Sequence, residues 1–282
     1  MKVVLFCGGL GLRLRDYSDK IPKPLVPIGG RPILWHIMKY YATQGHRDFI
    51  LCLGYRGADI KAYFLEYHRQ AGNDFLLLDG SRVEPLGSDI EDWRISFVET
   101  GLHTSIGQRL RMVRPHLAGE RYFLANYSDT LTDLPLNGWL ERFTAQDKVA
   151  SMMCVRPHLS LHSVELDPEG NVGAIRSLRQ DLLVNGGYFV FREDIFEYID
   201  RGEDLVEQPF ARLCERQLLL GHAYGGFWAT MDTFKDRQAL EDLYGLGRAP
   251  WEVWKYRRAG DERRYAAPEP AFIPPPDAVA RD

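Results

Sequence analysis

The sequence predicts an α/β fold in which helices flank a mostly parallel sheet, and two patterns support this. Continuous apolar runs, typical of strands buried on both faces, alternate with segments of helical spacing through the first half of the chain. Such alternation is typical of right-handed βαβ units. Three short strands between residues 164 and 191 have connections too short for crossover helices, so we expect antiparallel pairing there.

The predicted elements follow one another closely, with glycine, proline or polar residues at the turns. The predicted strands are residues 3–6, 49–53, 75–78, 95–98, 122–125, 149–155, 164–166, 172–175, 184–191 and 227–231. The predicted helices run from Pro32 to the residue before Gly45 and over residues 58–68, 109–117, 136–143, 194–199, 209–217 and 233–245. The polar segment 79–92 is predicted to be a loop. We expect one domain over residues 1–257 and a Pro-rich C-terminal tail over residues 258–282.

The charge balance and the cysteines restrict the kinds of partner and compartment. The chain of 282 residues has 35 Lys and Arg against 39 Asp and Glu, and the net charge of −4 disfavours nucleic acid as a partner. The four cysteines form no CxxC pair, and three lie in apolar runs, as reduced core thiols do in cytosolic proteins. We expect no signal peptide, because the chain enters a predicted strand directly, and no apolar run approaches the length that spans a bilayer. We therefore expect a cytoplasmic protein without a membrane partner.

The most informative motif is the glycine-rich turn after the first strand, in the sequence LFCGGLGLRL. Its glycines, Gly8, Gly9 and Gly11, let backbone N–H groups approach an anion closely. Arg13 and, a short interval later, Lys23 add two positive charges. The turn therefore predicts a phosphate-binding site.

Two related motifs and a plain turn are the alternatives to this interpretation. A dinucleotide-binding loop requires glycine at the position of Leu14 and no cations in the turn. A P-loop ends in Gly-Lys-Ser/Thr, which does not occur here. A strand-to-helix turn without a ligand would leave Arg13 and Lys23 together unexplained. The phosphate site is the interpretation that accounts for all of these residues.

Two aspartates, Asp129 and Asp232, each follow a predicted strand. Ligands of open parallel sheets lie outside the carboxyl ends of the strands, where carboxylates can hold Mg²⁺ together with phosphate oxygens and water. Both residues also lie near possible helix starts, where an aspartate can serve as the N-cap. On sequence spacing alone, metal binding and helix capping are about equally supported.

Two further motifs carry a weaker signal. Asn185 precedes Gly186 and Gly187 at the start of a predicted strand, which would let a ligand approach the backbone, although an ordinary turn is the simpler explanation. His158 and His162 have a spacing that metal ligands use, but no third ligand is near in the sequence. We expect these histidines in a loop or on the surface.

Taken together, the motifs resemble those of the sugar-1-phosphate nucleotidyltransferases, and within them those of the glucose-1-phosphate cytidylyltransferases. The resemblance extends over about the first nine-tenths of the chain, and the combination of motifs is highly specific. The segments that carry it are GGLGLRL at 8–14, PKPLVPIGGRPILWHIMKYY at 22–41, GYRG at 54–57, ETG at 99–101, GQRL at 107–110, YSD at 127–129, NGG at 185–187, GFW at 226–228 and MDT at 231–233.

The resemblance implies a Rossmann-like mixed sheet flanked by helices, a small antiparallel part that binds an acceptor, and Mg²⁺ as the cofactor. It implies that an NTP, most of all CTP, and a small phosphorylated acceptor such as a sugar 1-phosphate give an NDP-sugar and pyrophosphate. The implied catalytic residues are Arg13 and Lys23. The implied nucleotide-binding residues are Gly8, Gly9, Gly11, Arg13, Lys23, Ser105, Gly107, Gln108 and Arg109. The implied Mg²⁺ ligands are Asp129 and Asp232. The implied acceptor-binding residues are Ser128, Arg179, Asn185, Gly186 and Glu207.

The chain departs from the family pattern on the acceptor side. The family carries Glu-Lys-Pro shortly before Asn-Gly-Gly, with its lysine on the acceptor phosphate, whereas no lysine occurs here between Lys148 and Lys235. We expect Arg179 or Arg176 to take over that contact, or the acceptor to differ from glucose 1-phosphate. Three other residues differ from the family pattern: Ser128 and Thr130 replace glycines, and Leu12 replaces threonine.

Other nucleotides and other functional classes are the alternatives. UTP, dTTP or GTP could take the place of CTP. A non-catalytic regulatory protein that binds nucleotide sugars is disfavoured because Arg13, Lys23 and both aspartates are all retained. A dinucleotide-dependent oxidoreductase is disfavoured by the missing third glycine. By analogy with the family we expect a homo-oligomer, with segment 79–92 and the tail as contact segments.

Overall fold

A computed structural model of the chain describes residues 1–9, 11, 21–67, 74–157, 162–177 and 182–257. Its strands, numbered in chain order, are β1 Lys2–Phe6, β2 Pro27–Ile28, β3 Arg31–Pro32, β4 Asp48–Leu53, β5 Phe75–Leu78, β6 Arg82–Pro85, β7 Arg94–Glu99, β8 Tyr122–Asn126, β9 Thr130–Thr132, β10 Ala150–Val155, β11 His162–Leu166, β12 Val172–Ser177, β13 Val184–Arg192, β14 Leu219–Tyr224 and β15 Trp228–Thr230. Its α-helices are α1 Ile33–Thr43, α2 Gly57–Leu65, α3 Ile106–Val113, α4 Leu136–Thr144, α5 Gln208–Glu215, α6 Phe234–Gly245 and α7 Val253–Arg257. Short 3₁₀ turns lie at Lys23–Leu25, Arg114–Leu117 and Glu193–Glu197. Arg13, His158, Arg179 and the predicted tail at 258–282 lie outside the described residues, so the predicted domain boundary stays a prediction.

Seven strands form the central sheet, in the order β14–β10–β13–β8–β1–β4–β7. The four strands β8, β1, β4 and β7 pair in parallel, and so do β10 and β14. Strand β13 lies between these two groups and is antiparallel to both of its neighbours. The predicted Rossmann-like, mostly parallel mixed sheet is therefore confirmed.

The central strands are buried on both faces, which explains their continuous apolar runs. Val3 and Leu5 of β1 belong to one core cluster, with apolar residues of α1 and α4. Val4 and Phe6 belong to a second cluster, with apolar residues of α3 and α5. Alternate side chains of β1 thus pack against different helices on the two faces of the sheet. None of the helices in the described ranges combines the length and the apolar character needed to cross a bilayer.

Most predicted elements are confirmed, and the exceptions lie outside the parallel group of β8, β1, β4 and β7. Residues 79–92, predicted to be a loop, contain β6, which forms an antiparallel hairpin with β5. Asp79 and Gly80 at its turn both have positive φ, and an Asp-Gly pair is a hairpin signal that the sequence did contain. Strand β14 was not predicted, because LLGHAY contains glycine and lacks a β-branched run.

The three consecutive strands predicted between residues 164 and 191 belong to two different sheets. β11 and β12 form the expected antiparallel hairpin as a separate two-stranded sheet. β13 does not continue that hairpin but enters the central sheet between β10 and β8. Its run from Gly186 to Phe191 is buried, as expected for a strand covered on both faces.

His36 on α1 joins the C-terminal part of the described chain to the core. Its side chain is buried, its Nδ1 accepts a hydrogen bond from Trp251 Nε1 at 3.3 Å, and its Nε2 donates to Ile28 O at 2.9 Å. Both ring nitrogens are therefore used by the neutral form. Burial lowers the pKa of His36 to about 4, and the nearby cations Arg31 and Lys255 add to that effect.

The buried His36 predicts a loss of stability in mild acid. Because its folded-state pKa lies below the ordinary value, the unfolded chain takes up the proton first as the pH falls, and the free energy of unfolding decreases between about pH 6.5 and pH 4. The variant His36→Gln, which can keep both hydrogen bonds, should lose about 3 kcal/mol less over that interval. Urea unfolding at a series of pH values measures this difference.

The matched control is His116→Gln, at an exposed position. This variant should keep the pH dependence of the wild-type protein. His46 and His222, whose pKa values are also lowered to about 4 by burial, leave some pH dependence in every variant. Identical slopes for wild type and His36→Gln would contradict the prediction.

Candidate active site

A cavity of about 330 Å³ opens at the carboxyl ends of the neighbouring parallel strands β1 and β8. The glycine-rich turn after β1, the 3₁₀ turn at Lys23–Leu25 and the loop after β8 contribute to its walls. Its lining residues are Phe6, Cys7, Gly9, Gly11, Lys23, Pro24, Tyr127, Ser128, Asp129 and Asp232. The predicted phosphate turn and the two predicted metal ligands therefore share one cavity, at the edge of the sheet where α/β proteins bind ligands.

The centre of this cavity is an ion cluster of Lys23 with both aspartates. Lys23 Nζ donates to Asp129 Oδ2 and to Asp232 Oδ1, each at 2.7 Å. The three side chains are only 15%, 23% and 32% exposed, so their attraction is screened less than that of surface pairs. One ammonium group thus holds together two carboxylates that would otherwise repel each other.

The protonation states of the cluster follow from burial and from this pairing. Burial alone would lower the pKa of Lys23, but Asp129 and Asp232 outweigh it, and the pKa is raised above its usual value. Burial raises the pKa of Asp129, and the Lys23 ammonium opposes that shift without cancelling it. Lys23 is therefore a permanent cation at neutral pH and cannot serve as a base.

A short antiparallel ribbon brings the two aspartates together from distant parts of the chain. β9 pairs with β15, with Thr130 opposite Thr230. Asp129 directly precedes β9, and Asp232 follows β15 by two residues, so both lie at the same end of the ribbon. The backbone N–H of Met231 donates to Asp129 O at 2.9 Å and extends the pairing to the site.

This ribbon also excludes one of the two roles considered for the aspartates, that of helix cap. The N-cap of α6 is Thr233, which forms a capping box with Asp236, and Asp129 precedes a strand rather than a helix. Neither Asp129 nor Asp232 is therefore a helix cap, and both carboxylates are directed to Lys23. The assumption that Asp232 ends a strand of the parallel sheet is wrong, since β15 belongs to the separate ribbon.

Arg109 supports the glycine-rich turn from the protein interior. Its guanidinium donates to Thr100 Oγ1 at 2.6 Å and to the carbonyls of Leu53, Gly8 and Leu102 at 3.2 Å each. The side chain is 3% exposed, and burial lowers its pKa. A Cβ atom on Gly8 would lie 2.0 Å from Arg109 Nη1, so a larger residue there would have to displace the guanidinium from its hydrogen bonds. Arg109 thus joins the turn to the ends of β4 and β7.

The other residues that the family resemblance assigns to nucleotide binding, where they would contact the base, lie at the start of α3. Ser105 is its N-cap and donates through Oγ to Glu203 O at 2.8 Å. Gln108 Nε2 donates to Asp200 O at 2.8 Å, and a Cβ on Gly107 would lie 2.7 Å from Glu203 O. These residues fix the segment Ser105–Arg109 against the loop before α5, and their contact with a base stays a prediction.

On the predicted acceptor side, Tyr127 lines the cavity and Asn185 lies behind it. Asn185 Nδ2 donates to the Tyr127 hydroxyl at 3.2 Å, and Trp228 Nε1 donates to Gly186 O at 2.8 Å. Burial raises the pKa of Tyr127 to about 12, so its phenol stays protonated. Tyr127 was not assigned a role from the sequence, although its place between a strand and Asp129 was a usable signal. Glu207 is exposed just before α5.

The two basic residues considered as replacements for the missing lysine are differently placed. Arg176 lies on the hairpin β11–β12, where its exposed guanidinium pairs with Glu165 at 3.0 Å. Arg179 lies outside the described residues. His162 is exposed in β11, as expected. Arg176, the candidate that the structure describes, is thus already paired with a carboxylate.

Comparison with known proteins shows the family of the chain. A family model described as Nucleotidyl transferase matches residues 2–233. The glucose-1-phosphate cytidylyltransferases of Salmonella typhimurium and Salmonella typhi are each 34% identical over 261 residues, covering 90% of this chain and 100% of theirs. A solved UTP-bound UGPase from Acinetobacter baumannii has a similar fold, with a TM-score of 0.64 and 18% identity over 93% of this chain and 99% of that chain. The chain therefore belongs to the nucleotidyl transferase family, among the sugar-1-phosphate nucleotidyltransferases.

Proposed function

We propose that the chain is a Mg²⁺-dependent nucleotidyltransferase that joins an NTP, preferentially CTP, to a sugar 1-phosphate or a similar phosphorylated acceptor. The products are an NDP-sugar and pyrophosphate. The preference for CTP is supported by the names of the two Salmonella relatives. The observation that carries the proposal is the convergence of Lys23, Asp129 and Asp232 beside the glycine-rich turn.

The two carboxylates suit a divalent cation. Asp129 and Asp232 converge on one cation already, since the Lys23 ammonium lies 2.7 Å from an oxygen of each. Mg²⁺ is commonly bound by one or two carboxylates, with water and phosphate oxygens as the other ligands. When bound, the ion would neutralise charge on the phosphate oxygens.

The reaction needs cations more than it needs a base. An oxygen of the acceptor phosphate attacks the α-phosphorus of the NTP, and the bond to pyrophosphate breaks. Because this oxygen is already anionic, no proton has to be removed. The cavity agrees: burial raises the pKa of the Cys7 thiol and of the Tyr127 phenol to about 12 each, so both stay protonated, while Lys23 stays charged. Catalysis then depends on positioning and on charge neutralisation.

The acceptor is the least defined substrate. The family's acceptor-side lysine is missing, and the described candidate Arg176 pairs with Glu165. The proposal therefore includes acceptors other than glucose 1-phosphate, with Asn185, Gly186, Glu207 and Arg179 as the acceptor-binding residues, whereas the Ser128 hydroxyl lies against the backbone carbonyls of Phe6 and Tyr127. Tyr127 joins them through its contact with Asn185.

Location and assembly are part of the same proposal. All four cysteines are free thiols, which supports a cytoplasmic location. A homo-oligomer is expected from the family resemblance alone. The regulatory alternative, a protein that binds nucleotide sugars without turnover, would not need Lys23 between two carboxylates in a phosphate cavity.

Replacing Lys23 tests the cation at the centre of the site. The variant Lys23→Met should lower the turnover number by on the order of 10²-fold or more, because it removes a charge that stabilises the transition state. Steady-state kinetics of pyrophosphate release measures the effect. The matched control is Lys61→Met, which breaks the surface pair with Glu99 and should leave turnover unchanged. Turnover of Lys23→Met close to that of wild type would disprove this role.

Replacing Gly8 tests the close approach of Arg109. The variant Gly8→Ala should displace the guanidinium and leave buried carbonyls without donors, which costs about 1–3 kcal/mol for each unsatisfied group. We expect a lower free energy of unfolding together with a raised KM for the NTP. The control Gly138→Ala, on α4 with open space at its Cβ, should be neutral or stabilising. An unchanged KM for the NTP in Gly8→Ala would show that the shape of the turn does not affect nucleotide binding.

A substrate matrix tests the reaction itself. CTP, UTP, dTTP and GTP are each combined with several sugar 1-phosphates and other phosphate monoesters, and pyrophosphate release is measured. We expect the highest kcat/KM with CTP and a sugar 1-phosphate. Binding of nucleotide without pyrophosphate release for any pair would favour the regulatory alternative. High activity with glucose 1-phosphate would show that the acceptor is unchanged despite the missing lysine.

A further inference from the structure

Ser128, between Tyr127 and Asp129, has an unusual backbone conformation for a serine. Its φ of +62° lies in the left-handed region, and its side chain is buried at 1% exposure beside the cavity. Glycine adopts this conformation freely, whereas a serine does so only where its surroundings enforce it. A non-glycine residue keeps this conformation only if interactions with the surrounding structure offset its energetic cost.

The hydrogen bonds of Ser128 provide these interactions. Its backbone N–H donates to Asn126 Oδ1 at 2.7 Å. Its hydroxyl lies 2.7 Å from Phe6 O and 2.6 Å from Tyr127 O, so its single proton can be donated to either. The bond to Phe6 joins the loop after β8 to the last residue of β1, immediately before the glycine-rich turn. Ser128 thus joins the proposed metal loop to the proposed phosphate turn.

The residue on the other side of Asp129 is held by the same amide. Asn126 is fully buried, and its Nδ2 donates to Thr130 Oγ1 at 3.4 Å. Thr130 is 4% exposed, and its carbonyl accepts a hydrogen bond from the Tyr188 hydroxyl at 2.7 Å. Asp129 therefore lies between two hydroxyl residues that are both bound to Asn126.

We propose that Asn126, Ser128 and Thr130, here called the hydroxyl clasp, are positioning residues for Asp129. Ser128 and Thr130 stand where the family resemblance places glycines, so the clasp is a feature of this chain. It fixes the backbone on both sides of Asp129 and sets the distance of that carboxylate from the glycine-rich turn. The clasp does not touch the reacting atoms, and its effect on turnover rests on the proposed function.

Two substitutions separate the hydroxyl from the backbone conformation. Ser128→Ala removes the hydroxyl and keeps the Cβ, whereas Ser128→Gly also removes the conformational restriction and suits a φ of +62°. The matched control is Ser151→Ala. It likewise removes a buried hydroxyl that donates to a carbonyl, Leu220 O at 2.9 Å, but Ser151 lies on β10 and does not line the cavity.

Two measurements are made on the full chain. Amide hydrogen exchange of residues 126–131 is followed in the metal-free protein, and kcat and KM are measured with the best substrate pair. In both Ser128 variants we expect exchange of this segment to be faster and kcat to be lower by about three- to tenfold, with both KM values within about twofold of wild type. Ser151→Ala should change neither exchange of this segment nor kcat.

Other results would overturn the proposal in distinct ways. An unchanged exchange rate in Ser128→Ala would show that its hydroxyl does not hold the loop. Faster exchange with an unchanged kcat would show that the position of Asp129 does not matter. A raised KM for the acceptor alone would make Ser128 a substrate contact. If wild type releases no pyrophosphate with any substrate pair, the proposed function fails, and the exchange data alone decide whether the clasp exists.

Discussion

The site depends on a single electrostatic constraint, the pairing of two half-buried carboxylates with one lysine. Asp129 and Asp232 lie at the same end of the ribbon formed by β9 and β15, and Lys23 comes from a 3₁₀ turn after the glycine-rich segment. Without a cation between them, the aspartates would repel each other in a poorly screened environment. The cluster therefore joins three distant segments of the chain. The position between the two carboxylates requires a cation.

The glycine-rich turn depends on a second buried cation, which is bound by neutral oxygen atoms rather than by carboxylates. Arg109 is held by the carbonyls of Leu53, Gly8 and Leu102 and by a hydroxyl. Carbonyl oxygens satisfy the guanidinium donors, so it can stay buried beneath a turn that has no room for a Cβ. Of the two cations, Lys23 thus lies in the cavity, and Arg109 gives the turn its shape.

Much of the fold could be predicted from the sequence because strands and helices leave local patterns. The continuous runs of β1 and β4 and the helical spacing of α1 correspond closely to the structure. The glycine-rich turn and Lys23 were also readable, since glycine spacing and charge are local properties. The same local reasoning missed β6, a short segment with two charged residues and a proline, and β14, which contains a glycine and lacks a β-branched run. It also placed β13 beside the hairpin rather than in the sheet.

The sequence by itself determined the αβ alternation, the anion-binding turn and the identity of the charged residues. Only the tertiary structure decided that Asp129 and Asp232 face one lysine, that Thr233 rather than Asp232 caps α6, and that Asn126 holds both neighbours of Asp129. The reason is physical. Periodicity encodes the conformation of a segment, whereas the pairing of β9 with β15 joins residues about a hundred positions apart, and no local pattern specifies that contact.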